Sequence, residues 1–266
     1  MKKLFGFMLC CLTLVMAGGC QKQNDGILKV AVSPDYAPYE FMDLSKTGQA
    51  KYVGSDIELA QYIATQLNKT LQIEEMSFDA CLMAIQTGAV DISISGFSWT
   101  PSRDENYELS ISYLDGGEGE QQVIILKENA SLYTSLDDLN NQQVKVGAQS
   151  ATIQSELVDS QLPNATKELF TDFDLAVVAL INGTIDGLAM AESVAEIRLS
   201  RNSELMVVPE NFVFQAGNVV VAKKGNTVLM EQINVIIVDV VEQGLYSQWL
   251  NAAKALAIQL GEEVFD

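Results

Sequence analysis

The sequence predicts an α/β protein made of two lobes of related topology, and three observations predict it. Short β-rich runs alternate with helical patterns along nearly the whole chain. A segment, Phe78-Asp79-Ala-Cys-Leu-Met-Ala84-Ile85-Gln-Thr-Gly88-Ala-Val90-Asp91, recurs without gaps as Phe173-Asp174-Leu-Ala-Val-Val-Ala179-Leu180-Ile-Asn-Gly183-Thr-Ile185-Asp186, at a constant offset. The 266 residues suffice for two domains, each with its own core.

Each element has its own signal. Ile27–Val32 alternates as a strand. Ser55 and Glu58 have the spacing of a capping box, and Ile57, Ala60, Ile63, Ala64 and Leu67 then line one helical face. Asp79 is placed to cap a helix that Gly88 stops, and Val90–Ile94 follows as a strand. Val144–Gly147 is a strand with a helix from Ser150. Ile185–Ala189 and Gly217–Ala222 are further strands, and Asn226 to Gly244 is a long helix. Ligands bind outside the carboxyl ends of strands in open α/β sheets, which puts the site after each copy of the repeat, at Ser95–Arg103 and Met190–Val194.

Composition removes several function classes. There are 16 Lys and Arg against 35 Asp and Glu, for a net charge of −19, and no basic stripe that would neutralise nucleic-acid phosphates. With no His, a Ser-His-Asp triad, a Cys-His dyad and a His-ligated zinc site are impossible. The acidic, Gly-rich Asp115-Gly-Gly-Glu118-Gly-Glu120 does not supply the six or more convergent oxygens that Ca²⁺ takes, and is assigned to hinge entry. No metal or cofactor is expected.

The first segment is an address. Lys2 and Lys3 precede an apolar run, and Ala17-Gly18-Gly19-Cys20 follows. The run from Leu4 to Gly19 is shorter than the roughly 20 residues of a spanning helix. Small residues before a Cys resemble a bacterial lipobox, although Ala17 stands where Leu is commoner. That resemblance implies that 1–19 is a lipoprotein signal peptide, that Cys20 is acylated, and that 20–26 is a polar tether holding the protein on the extracytoplasmic face of the cell membrane. Removing 1–19 leaves a net charge of −21 and, beside Cys20, only Cys81, expected to be a buried structural thiol.

Binding chemistry centres on Ile94-Ser95-Gly96-Phe97-Ser98-Trp99-Thr100-Pro101-Ser102-Arg103. Thr100 suits an N-cap and Pro101 the first helical position, which puts Arg103 in the first turn. A guanidinium beside hydroxyls and free N–H groups makes a carboxylate receptor. The only other arginines, Arg198 and Arg201, lie in a polar helical stretch and are expected to be solvated.

These motifs resemble the extracellular solute-binding proteins of polar amino-acid ABC transporters, family 3. The resemblance is carried by Ser33-Pro-Asp-Tyr36-Ala-Pro-Tyr-Glu-Phe41, Tyr52-Val-Gly-Ser-Asp56-Ile-Glu-Leu-Ala60, the stretch from Phe78 to Arg103, Val146-Gly-Ala-Gln149-Ser-Ala-Thr152 and the Asp186 repeat, and covers about residues 27–260. It implies a type II periplasmic-binding-protein-like clamshell with two hinge strands. Lobe 1 would comprise 27–114 plus 217–266, and lobe 2 would comprise 115–216.

The resemblance implies a monomeric protein, not an enzyme, that captures an amino acid or related small carboxylate and delivers it to an ABC permease. The alternative is an enzyme like the cyclohexadienyl dehydratases, which resemble the family. Arg103 would pair with the ligand α-carboxylate, helped by Ser95, Ser98 and backbone around Gly96. Tyr36 and Phe78 would flank the ligand side chain, and Gln149 would face it. Thr152 and the Ile153 amide would reach the carboxylate from a helix start. Two departures stand out. Ala151-Thr152-Ile153 replaces the usual Gly-Thr-Thr, and Ala191 takes the place of the acid that usually holds the α-ammonium. Glu192, one residue on, would substitute, unless Asp115, Glu118 or water holds that group or the ligand lacks it.

Overall fold

The computed structural model describes residues 26–117 and 119–263. The signal at 1–19, Cys20, the tether before Gly26, and Glu118 lie outside the described residues.

The chain opens with β1 (Gly26–Val32), a two-residue ribbon of β2 (Phe41–Met42) and β3 (Tyr52–Val53), and helix α1 (Ser55–Gln66). Strand β4 (Lys69–Glu75) pairs in parallel with β1 along its full length, from Gly26 opposite Lys69 to Val32 opposite Glu75. Helix α2 (Phe78–Thr87) ends on Gly88 at φ 76°, and β5 (Ile92–Ser93) lies parallel to β1 on its other side. Helix α3 (Pro101–Asn106) and β6 (Tyr107–Leu109) follow.

The chain then crosses to a second sheet, entered by β7 (Gln121–Leu126). There α4 (Leu136–Leu139), β8 (Lys145–Gln149), α5 (Ile153–Gln161), β9 (Thr166–Phe170), α6 (Phe173–Ile181), β10 (Gly187–Ala191), α7 (Glu192–Arg201) and β11 (Leu205–Val207) follow in turn. On the return, Phe212 bridges Gln121, and Asn218 bridges both Leu114 and Ser98, so the two crossing segments run side by side. Strand β12 (Val221–Lys223) rejoins the first sheet, and α8 (Thr227–Glu242) and α9 (Leu245–Glu263) complete the described chain.

The sheets have the orders β4-β1-β5-β12-β6 and β11-β7-β10-β8-β9. Each holds three parallel strands, with an antiparallel strand, β12 or β7, beside β5 or β10. The sequence repeat has a structural meaning here. The Lys29 N–H donates to Asp91 Oδ2 and the Lys145 N–H donates to Asp186 Oδ2, each over 2.8 Å. The last residue of each copy thus ties its own strand to the neighbouring parallel strand, β1 or β8. The two-lobed clamshell follows from these two sheets and the paired crossings.

Apolar packing runs unbroken from Val30, Ile63 and Ile92 of the first sheet region to Phe173, Leu188 and Val194 of the second. Helix α9 packs on both: Tyr246 reaches Asp56 and Ser55, whereas Lys254 pairs with Glu196 and the Ala257 carbonyl accepts from Arg201 Nη2. No helix among the described residues is long and apolar enough to cross a membrane.

Several sequence expectations need correction. Ser55 does not form a capping box. Gly54 is the N-cap, and the Ser55 hydroxyl is buried against the Tyr246 hydroxyl at 3.1 Å. Asp79 lies inside α2, where it accepts from Ser77 Oγ and does not act as the N-cap. Arg198 is not solvated: it is 8% exposed, pairs with Asp174 at 2.7 Å and donates to the Asp35 carbonyl at 2.7 Å. Arg201 is half-buried under α9, and burial lowers its pKa. Cys81, by contrast, is fully buried as expected, and burial pushes its thiol up to about 12.

Candidate functional site

Arg103 reaches its place through local capping. Thr100 Oγ1 accepts the Arg103 N–H at 3.1 Å, and Pro101 follows the cap, so the backbone enters α3 with Arg103 in its first turn. The guanidinium is 5% exposed and lies 5.5 Å from the Phe97 ring and 5.9 Å from the Phe78 ring. Its Nη1 donates to the Ser98 carbonyl at 2.6 Å and its Nη2 to the Ala151 carbonyl of the opposite sheet at 3.0 Å.

The loop before α3 is fixed from beneath. Gly96 turns at φ 61° and donates its N–H to Asp56 Oδ2 at 2.8 Å. Asp56 also accepts from the hydroxyls of Tyr246 and Tyr113, and its complete burial raises its pKa. Ser95 donates its hydroxyl to Glu40 Oε1 at 2.6 Å and accepts the Ser33 N–H.

On the other side, β8 ends at Gln149 and a tight turn leads into α5. Ala151 holds φ 64°, Thr152 is the N-cap accepting from Ser155 N–H, and the Thr152 hydroxyl donates to the Gln149 carbonyl at 2.7 Å. The predicted helix start at Ser150 therefore moves to Ile153. This leaves the first amides of α5 at the cleft.

A narrow cavity between the two sheets, of about 10 Å³, is lined by Tyr36, Phe78, Ser95, Gly96, Ser98, Arg103, Gln149, Thr152, Ile153 and Gln154. It brings together every sequence-derived candidate of the cleft except Glu192. That residue opens α7, accepts from the Glu120 N–H at 3.3 Å and lines a separate recess with Tyr39, Ser193 and Lys254. No carboxylate lines the interlobe cavity among the described residues.

Gln154 was not anticipated. It sits in the first turn of α5, where its Nε2 donates to Gln121 Oε1 at 2.7 Å and to the Tyr36 hydroxyl at 3.5 Å. Its adjacency to Ile153 in a helix start was the one available signal. No cluster of potential metal ligands occurs among the described residues.

Several bonds besides Arg103–Ala151 join the sheets, so the described form is closed. Asp35 Oδ2 accepts from Gln149 Nε2 at 3.0 Å and from the Phe173 N–H at 2.8 Å, and the hydroxyls of Tyr39 and Ser193 lie 2.7 Å apart. Burial raises the Asp35 pKa, partly offset by the Phe173 N–H and the Ser33 hydroxyl.

Fold and cleft together define the class, a two-lobed binding-protein fold with a cavity between its lobes. The chain belongs to the bacterial extracellular solute-binding proteins, family 3, whose model matches residues 28–252. It is 26% identical to the arginine-binding extracellular protein ArtP of Bacillus subtilis, with 96% of this chain and 100% of that protein aligned. It is 25% identical to the ABC transporter arginine-binding protein 1 of Escherichia coli, with 93% of this chain and 97% of that protein aligned. Among solved structures, an amino-acid ABC transporter substrate-binding protein from Streptococcus pneumoniae bound to L-arginine superposes with a TM-score of 0.79 at 33% identity, covering 86% of this chain and 94% of that one. All three are named as binding proteins, two of them of ABC transporters.

Proposed function

We propose that this protein captures an amino acid at the interlobe cavity, while anchored to the membrane through acylated Cys20, and hands it to an ABC permease. The observation that carries the reading is the buried Arg103 guanidinium, which spans the cleft to the Ala151 carbonyl. Carbonyl oxygens stand there in the roles a ligand carboxylate would take, and a guanidinium fork pairs better with a carboxylate than with two separate carbonyls. Tyr36 and Phe78 flank the ligand side chain, and Ser98, Thr152 and the Ile153 amide complete the carboxylate end. The names of ArtP and of the E. coli and S. pneumoniae relatives support an amino acid as the solute.

Release follows from opening about the crossings near 115–120 and 212–217, with 27–114 plus 217–266 moving against 115–216. A ligand that touches both lobes favours the closed form by its differential affinity for it. The protein acts as a monomer. The test is a thermal-shift screen of the soluble protein, lacking residues 1–20, against all amino acids, since saturation at 100-fold above Kd stabilises by about 2.7 kcal/mol. A flat screen rejects the reading. Labelled palmitate incorporated by the full chain and lost in Cys20→Ala checks the anchor.

A further inference from the structure

Gln149 and Gln154 line the interlobe cavity, are 3% and 6% exposed, and have their amide nitrogens committed elsewhere. Gln149 Nε2 donates to Asp35, and Gln154 Nε2 donates to Gln121 and Tyr36. The two side-chain carbonyl oxygens have no hydrogen-bond partner among the described residues. The direction of the Gln149 amide is fixed by chemistry. Asp35 Oδ2 already accepts the Phe173 N–H, and Oδ1 accepts the Ser33 hydroxyl at 2.9 Å, so the carboxylate is an acceptor on both oxygens. Only the NH₂ end of Gln149 can face it, which leaves the C=O end for the cavity.

We propose that Asp35, by holding the Gln149 amide in one orientation, restricts the site to amino acids whose side chain ends in hydrogen-bond donors alone, a guanidinium or an ammonium. This rests on the amino-acid reading above and names the ligand class. Two amide oxygens accept from such a group, and the faces of Tyr36 and Phe78 suit a cation. The Asp35 carboxylate lies one hydrogen bond behind Gln149. A side chain ending in a carboxylate or a carbonyl would set oxygen against oxygen and leave buried acceptors unpaired, which is more costly than the mere absence of a bond. Asp35 acts as a positioning residue through Gln149.

The test is calorimetric titration of the protein lacking residues 1–20 with L-arginine, L-citrulline, L-glutamine and L-glutamate. Citrulline matches arginine in shape but carries a carbonyl oxygen in place of one nitrogen. The wild type should bind arginine about ten- to hundredfold tighter than citrulline, with glutamate weakest. Asp35→Ala removes the one oxygen, Oδ2, that accepts both the Phe173 N–H and Gln149 Nε2, and frees the Gln149 amide to turn round. The arginine-to-citrulline ratio then falls about tenfold or more. Gln149→Leu should bring the two ligands nearly level.

A merely structural loss would weaken both ligands alike and leave their ratio unchanged. The inference is overturned if the wild type binds citrulline or glutamate as tightly as arginine, or if neither substitution changes the ratio. If none of the four amino acids binds, the amino-acid reading fails and this one with it. If they bind without preference, only this one fails.

Discussion

Arg103 Nη2 donates across the cleft to the carbonyl of Ala151, a residue held at φ 64°. The bond joins the guanidinium proposed to receive a ligand carboxylate to a backbone turn whose geometry belongs to glycine. Both ends of that relationship can be tested.

Removing the guanidinium leaves a ligand carboxylate in a buried site without its cation. Arg103→Ala should weaken amino-acid binding by about 2–5 kcal/mol, roughly 30- to several-thousand-fold, and Arg103→Lys should weaken it less, since charge remains without the fork. Calorimetry on each variant decides this, with the decarboxylated analogue as control. Unchanged affinity in Arg103→Ala would dismiss the clamp.

Left-handed backbone costs a residue with a Cβ about 1–2 kcal/mol, part of which glycine returns through its freer unfolded chain. Ala151→Gly should therefore stabilise the ligand-free protein by about 0.5–1 kcal/mol in urea denaturation. A loss of stability would mean that the Ala151 methyl group packs better than its backbone suffers.

Arg198 and Arg201 now divide in a way the sequence did not foretell. Arg198 ties α7 to Asp174 and to the backbone carbonyl of Asp35, with its guanidinium 5.2 Å from the Phe173 ring. Asp174 is 61% exposed, which weakens the ion pair by screening. Arg198→Ala should still cost about 1–3 kcal/mol, mainly through the buried hydrogen bond and lost stem packing. Equilibrium unfolding measures it, and a cost within about 0.5 kcal/mol, typical of surface positions, would contradict the burial.

Burial raises the pKa of Asp35 and Asp56 above 3.8. The folded protein then keeps protons that the unfolded chain has lost. The stability from this source is complete below 3.8 and is lost as pH rises through the raised values. Buried Asp43 and exposed Asp138 and Asp239, hydrogen-bonded by Ser45, Thr134 and Tyr62, are lowered and act in the opposite sense, losing their contribution as pH falls below 3.8. Denaturation profiles from roughly pH 4 to 7 should therefore flatten in Asp35→Asn and Asp56→Asn relative to the wild type. Profiles that stay parallel would assign the slope to other groups.

Local signals were legible where one turn of chain decides the outcome. Gly88 stops α2 in the left-handed region, and Thr100-Pro101 starts α3 with a side-chain cap. Ser55 misled because Gly54 precedes it: a Cβ at Gly54 would lie 2.1 Å from the Tyr39 carbonyl, and Tyr246, far along the chain, takes the serine hydroxyl. Arg198 and Arg201 were misjudged for the same reason, since Asp35 and α9, which cover them, are remote in sequence. At the site, motif residues converge on one cavity, whereas Gln154 and the Asp35–Gln149 pair depend on how two sheets meet. Glu192 was one residue from the expected place, and the start of a helix turned it towards Glu120 and Gly119.

Helix α9 bears on how the molecule can move. Its first half is pinned by Tyr246 and its second by Ala257 and Lys254, each to a different lobe. A stiff rod laid along two bodies resists their bending apart. If the lobes part about the crossings near 115 and 215, one set of these contacts must break, so the second half of α9 would act as a latch that weighs against the open form.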